Sequence, residues 1–382
     1  MALSLIIVDV VLFIFCLSAI WFYSYATYAA LEFFGDSDPI DPEFHPPVSI
    51  LKPICGKERN IYENFASFCR QDYPEYQIVF AVRDRFDPAV EVVEKIIAEF
   101  ADLDIQLVVS DRTIGANLKV SNLANAQAAA KYPILLIADS DIQVGSDYLQ
   151  RVVQPLKDPT VGVVTCPYRS LTQGWVAKIQ ALQTACEFHA GVLVARKLGG
   201  MNFAFGSTII IQTATLEAIG GFAAIADYLA DDFLLGYLPT QKDYKVVLSD
   251  YIVEHVLAAD TFIGSIQRQI RWARGKRVSR PGGYLGLILT YGIIASLLFA
   301  IATGGSILGW AVLAITWCMR LIMAWAIGVR SLKDEAASQL IWLVPLCDLL
   351  SFAVWCYSFF GNTVEWRDRS LLLTKGGKLV PL

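Results

Sequence analysis

Ile134-Leu135-Leu136-Ile137-Ala138-Asp139-Ser140-Asp141 reads as an apolar strand that runs directly into two acids one residue apart. Similar units precede it. Val48-Ser49-Ile50-Leu51 is a short apolar strand ending in Lys52-Pro53. Gln77-Ile78-Val79-Phe80-Ala81-Val82 is another, ending at Asp84, and Ile105 to Val109 is a third. Helical spacing fills the intervals: Arg59 to Cys69, Asp87-Pro88 through Phe100, and Val120 to Lys131. Pro88 suits a first helical turn, where the missing N–H costs nothing. Strands alternating with helices predict an α/β domain around a mostly parallel sheet. Continuous apolar strands fit a sheet covered on both faces. Such sheets bind ligands beyond the carboxyl ends of their strands, where Asp84, Asp139 and Asp141 fall.

The 382-residue chain is 55% hydrophobic and only 18% charged, with a mean hydropathy of +0.49. Soluble domains are typically about a quarter charged, so part of this chain is suited to lipid. Its net charge of −5 carries no broad basic face, which speaks against nucleic acid as a partner. The one dense basic run, Arg268 to Arg280, abuts an apolar segment and fits a membrane surface. The eight cysteines form no C-x-x-C pair, and the three histidines are far apart in sequence. Neither a disulfide frame nor a histidine-built metal site is expected.

Residues Leu3 to Leu31 are nearly all apolar, long enough for an uncleaved anchor, and lack the basic start of a signal peptide. A second apolar block, Gly283 to Val329, is interrupted at Thr303-Gly304-Gly305-Ser306 and reads as two spans joined by a hairpin. Arg320 lies within the second of these. A third block, Leu340 to Gly361, is broken by Pro345 and Asp348. The expected organisation is an anchor at 1–34, a catalytic domain at 45–280, a membrane region at 283–361 and a tail at 362–382. Lys and Arg flank the middle region at Lys52, Lys57 and Arg59 and again from Arg268 to Arg280, which puts it in the cytosol. The tail, with Arg367, Arg369, Lys375 and Lys378, also belongs there, so the third block is expected to enter and return.

Four motifs carry chemistry. Asp139-x-Asp141 can hold Mg²⁺ or Mn²⁺ against a diphosphate, since Mg²⁺ is commonly held by one or two carboxylates plus phosphate oxygens; the bland reading is a solvated turn. Asp84 can accept from the N3–H of a uracil, or pair with Arg83 or Arg85. Asp231-Asp232 in an apolar context can raise each other's pKa and supply a general base, or cap a helix. Arg268 and Arg271 share a helix face and can neutralise a pyrophosphate, with Trp272 packing beside them, or form an interfacial belt.

In this order, the motifs resemble those of glycosyltransferases of families 2 and 21 with a GT-A core, and more closely the ceramide glucosyltransferases and hopanoid-biosynthesis glycosyltransferases. Ser49-Ile50-Leu51-Lys52-Pro53, Asn117-Leu118-Lys119-Val120-Ser121-Asn122-Leu123 and Trp366-Arg367 extend the resemblance over nearly the whole chain. It implies an inverting transfer of glucose or N-acetylglucosamine from a UDP-sugar to a lipid hydroxyl. Asp84 would bind the donor, Asp139 and Asp141 the metal–diphosphate, and Asp232 would be the base. Lys119 and Asn122 would line the donor pocket, and Arg268, Arg271 and Trp272 would form the R-x-x-R-W motif. The family's usual acid pair is Glu-Asp, where this chain has Asp231-Asp232. His189, in an apolar helix, is a candidate acceptor contact or a packed core residue. A processive polysaccharide synthase shares the same motifs but needs more spans for a polymer tunnel. A transporter would put its ionisable residues in the spans, whereas here the acids cluster outside them.

Overall fold

In this computed structural model, which describes residues 2–35, 39–257, 261–366 and 369–382, the apolar runs become adjacent strands of one sheet. Arg367 of the tail lies outside the described residues. Strands β1 (Val48–Pro53), β2 (Tyr76–Val82), β3 (Asp104–Val109) and β4 (Ile134–Ile137) pair in parallel, in the order β3-β2-β1-β4. Every residue of β1, β2 and β4 is buried, as a sheet covered on both faces demands. The polar side chains inside it are satisfied: Ser49 Oγ donates to Gln77 Oε1 at 3.0 Å and accepts from the Tyr132 N–H at 3.1 Å.

Beyond β4, the sheet changes direction. After the two-residue β5 (Ile142–Gln143), the chain forms β6 (Val161–Thr165), β7 (Tyr168–Thr172), β8 (Ile209–Gln212), β9 (Lys245–Leu248) and β10 (Val253–Leu257). β8 pairs antiparallel with both β4 and β6, and β9 runs parallel to β6, completing seven strands in the order β3-β2-β1-β4-β8-β6-β9. β5, β10 and β7 form a small second sheet, and β11 (Thr363–Trp366), β12 (Arg369–Leu373) and β13 (Leu379–Pro381) an antiparallel third.

The chain divides into two compact units. One contains residues 37–171, 200–258 and 363–382 and holds all three sheets. The other contains residues 1–36, 172–199 and 259–362 and is helical. Segment 172–199, which falls within the stretch expected to be catalytic, thus groups with the apolar helices, and the tail groups with the sheets.

Three helices of the helical unit are long and apolar enough to cross a membrane: Ile6–Phe33, Ile307–Ser331 and Glu335–Ser358. A fourth candidate, Pro281–Thr290 plus Gly292–Ala302, is bent by 51°. The hairpin expected at Thr303–Ser306 is there, with Gly304 and Gly305 at positive φ. The expected break in the 340–361 block is not. Pro345 occupies the first turn of the helix Val344–Ser358, where it removes no hydrogen bond. Asp348 meets Arg320: its two oxygens accept from Arg320 Nε at 2.8 Å and Nη2 at 2.7 Å, and Nη1 donates to the Cys186 carbonyl at 3.2 Å. The two charges that interrupt separate apolar blocks in the sequence therefore neutralise each other.

Removing one partner of such a buried pair strands a charge, at a cost of about 3–5 kcal/mol, whereas replacing both with apolar groups is often neutral. Arg320→Met should therefore sharply lower the unfolding midpoint of the detergent-solubilised protein, and Arg320→Met combined with Asp348→Leu should recover most of the loss.

Candidate active site

The two acids that follow β4 emerge at the carboxyl end of the parallel strands, where a sheet of this kind binds its ligand. Asp139 Oδ1 takes a salt bridge from Lys119 Nζ at 2.7 Å, and the same ammonium reaches Asp231 Oδ2 at 3.3 Å. Lys119 is placed by the start of the helix Leu118–Gln127. Asn117 caps that helix, its side-chain oxygen accepting from the N–H groups of Lys119 and Val120 at 3.0 and 3.2 Å. The Asn117 amide donates to the Tyr228 carbonyl at 2.8 Å and to Asp231 Oδ1 at 3.3 Å. Burial works against the Lys119 charge, but Asp139, Asp231 and Asp232 outweigh it and hold the ammonium protonated.

Asp231 and Asp232 open the helix Asp231–Thr240, where its N-terminal dipole favours negative charge. Asp231 is buried between Asn117 and Lys119. Asp232 is half-buried; its Oδ2 accepts from the Gly206 N–H at 3.3 Å and its Oδ1 from the Phe233 N–H at 2.7 Å. Burial and repulsion from Asp231 push the Asp232 carboxyl up to about 6, against the pull of Lys119.

Asp141 Oδ2 lies 3.2 Å from His255 Nε2 on β10. Burial raises the Asp141 carboxyl, but His255 outweighs it and the net shift is downward. Asp139 moves the other way, raised by burial and by Asp141 despite Lys119. Beneath the acids, fully buried Lys52 donates to the Asp139 carbonyl at 3.1 Å and stands 3.5 Å over the Phe68 ring. Burial pushes its ammonium down to about 7, opposed by Asp139 and Asp141.

Asn122 Nδ2 donates to the Ile54 carbonyl at 3.2 Å, at the end of β1. Asp84 follows β2 and closes its own turn by accepting from the Phe86 N–H at 3.0 Å, leaving it at the exposed rim. In the helical unit, Arg268, Arg271 and Trp272 lie on the helix Phe262–Ser279, which Thr261 caps through the Gly264 N–H. His189 is buried, with Nδ1 3.0 Å from the Thr184 carbonyl, and burial pushes it down to about 4. That is the setting of a packed histidine.

Four further residues shape the site although the sequence assigns them no role in it. Lys52 could be seen as a charge within an apolar strand, and Asn117 as a cap before a helix. His255 and Gly206 give no local signal. A Cβ at Gly206 would lie 2.7 Å from Asp139 Oδ2 and 3.3 Å from Lys119 Nζ, so only glycine lets these groups approach. Among the described residues no three His, Cys, Asp or Glu side chains converge to hold a metal unaided.

A mostly parallel sheet with an antiparallel insertion, and acids at its carboxyl edge, define a GT-A glycosyltransferase. A solved structure with this fold, the mannosyltransferase PcManGT from Pyrobaculum calidifontis in complex with GDP-Man and Mn²⁺, matches 93% of this chain and 99% of its own, with a TM-score of 0.61 and 19% identity. The chain belongs to glycosyl transferase family 21, whose model matches residues 11–379, and it is an enzyme of that class. It is 26% identical to ceramide glucosyltransferase 3 of Caenorhabditis elegans, over 88% of this chain and 74% of the relative. It is 24% identical to ceramide glucosyltransferase 1 of the same organism, over 87% and 73%. With three span-length helices, the protein is membrane-associated.

Gly206→Ala should leave the fold and melting temperature nearly unchanged, because the atoms a Cβ meets are the ends of the Asp139 and Lys119 side chains. It should cut transfer on the order of 10²-fold, the scale for displacing reacting groups by about 1 Å. Transfer assays beside circular dichroism check this; a fully active alanine variant would show that Asp139 and Lys119 need not approach so closely.

Proposed function

We propose that this enzyme is a hexosyltransferase that moves glucose or N-acetylglucosamine from a UDP-sugar to the hydroxyl of a membrane lipid such as ceramide or a hopanoid, with inversion at the anomeric carbon. The observation that carries the reading is Lys119 bridging Asp139 and Asp231 at the carboxyl edge of the sheet, beside an Asp232 raised toward neutrality. Family membership and the ceramide glucosyltransferase relatives support the lipid acceptor. The catalytic face is cytosolic, on the flanking positive charge.

Asp232 accepts the proton of the acceptor hydroxyl as that oxygen bonds to the sugar C1. The C1–oxygen bond to the diphosphate breaks at the same time, and UDP leaves with the electron pair. Asp231, fixed between Asn117 and Lys119, positions its neighbour. Lys119 offsets negative charge beside the departing group, and preorganised charge of this kind is usually the largest catalytic contribution. Asp84 and Asn122 serve the donor, as the family resemblance implies. Arg268 and Arg271, with Trp272, neutralise the leaving diphosphate on that resemblance alone.

The donor set fits a divalent cation. Asp139 and Asp141 offer hard oxygens one residue apart, close enough for Asp141 to raise the Asp139 carboxyl, and the remaining positions suit diphosphate oxygens and water. Asp139 and Asp141 would hold the ion, and its charge would stabilise the departing diphosphate.

Asp232→Asn, which keeps the shape and removes the basicity, should lose about 10²–10⁴ in rate at saturating donor. UDP affinity should hold, and Asp231→Asn should be milder. Because the base works deprotonated, wild-type transfer should fall as pH drops through about 6. A near-normal Asp232→Asn would place the base elsewhere.

Asp139→Ala and Asp141→Ala should each abolish transfer while the protein stays folded. EDTA should silence the wild type, and Mg²⁺ or Mn²⁺ should restore it. Full activity in EDTA would remove the cation from the mechanism.

A further inference from the structure

A cavity of about 580 Å³ opens in the sheet-bearing unit, within the roughly 300–1,000 Å³ range of ligand sites. One side is built from residues that follow the parallel strands: Arg83 after β2, then Thr113 and Gly115 after β3. The other side comes from the tail, with Arg369 and Lys378. Among the described residues Asp227 is the only acid in the lining, and its Oδ1 already accepts the Ala116 N–H at 2.9 Å. Among the described residues none of the three cations pairs with a carboxylate. Three cations around one cavity call for an anionic ligand.

The tail is fastened to this wall. Leu379 N–H donates to the Asp227 carbonyl at 2.6 Å, and Leu229 N–H to the Gly377 carbonyl at 3.3 Å. Leu371, Leu373 and Leu379 are buried. The segment that receives the tail also holds the donor-side loop. Asn117 N–H donates to the Ala226 carbonyl at 2.8 Å, and a Cβ at Gly115 would lie 2.4 Å from that same oxygen. Two residues past the cavity-lining loop comes Leu118, which also lines it, and then Lys119.

We propose that the C-terminal hairpin forms one wall of the donor pocket, and that Arg369 and Lys378, facing Arg83, hold the negatively charged diphosphate portion of the nucleotide. The inference rests on the UDP-sugar reading above. It adds tail residues that belong to no donor motif in the sequence. Arg and Lys bind phosphate through charge-assisted hydrogen bonds, about twice as strong as neutral ones.

The test is the Arg369→Gln/Lys378→Met variant of the full-length, detergent-solubilised enzyme, titrated with UDP and with uridine, alongside donor KM and kcat. UDP affinity should fall about 10–100-fold, corresponding to one or two lost contacts at tenfold each, with a matching rise in donor KM. Uridine affinity and kcat at saturating donor should stay within about twofold, because the lost contacts are to phosphate. Arg369→Lys alone, which keeps the charge, should retain most of the UDP affinity. Unchanged UDP binding in the double variant would overturn the inference. So would equal losses for UDP and uridine, which would mean collapse of the pocket, or intact UDP binding with lost binding to phosphatidylserine vesicles, which would assign the cations to the bilayer surface. A wild type that binds no UDP would instead overturn the donor reading, and the inference with it.

Discussion

Three carboxylates on two different segments can share one site only if something opposes their repulsion, and here that is the ammonium of Lys119. It touches Asp139 and Asp231 directly, and its field reaches Asp232. Its position follows from where a helix begins: Asn117 ends the incoming loop, caps Leu118–Gln127 and sends its amide to Asp231. One asparagine therefore fixes both the cation and the acid it neutralises. The Lys119 ammonium thereby links the strand end that bears Asp139, its own helix and the helix that begins at Asp231.

The adjacency of Asp231 and Asp232 takes on meaning in this frame. Successive residues of a helix point about 100° apart, so two neighbouring acids cannot occupy one environment. Asp231 is turned inward to Asn117 and Lys119, and Asp232 toward Gly206 and the open side. A shorter acid than the family's usual glutamate stands at the inward position, where the Asn117 amide comes within 3.3 Å of it.

The parallel half of the fold was legible because each strand is a short, mostly apolar run separated from the next by a stretch with helical spacing, a purely local signal. The antiparallel half was not. β6 and β8 are four or five residues long and meet only after the helices between them have left for the other unit. The acids of the site could be read in the same local way, as charges placed at strand and helix ends. Their partners could not: His255 reaches Asp141 across 114 residues of chain, and Gly206 matters only for what a side chain there would strike. Arg320 and Asp348 illustrate the same limit. Each looks like a flaw in its own helix, and only their pairing explains both.

The fastening of the tail also sets an order of assembly. Residues 200–258 and 363–382 belong to one unit, and backbone hydrogen bonds from Leu379 to Asp227 and from Leu229 to Gly377 close it. The chain between them, residues 259–362, belongs to the helical unit. Leu371, Leu373 and Leu379 are buried, so the sheet-bearing unit cannot complete its core until those helices have been synthesised. The hydrogen bonds of a short hairpin thereby tie completion of the unit that carries the acids to the prior synthesis of the apolar helices.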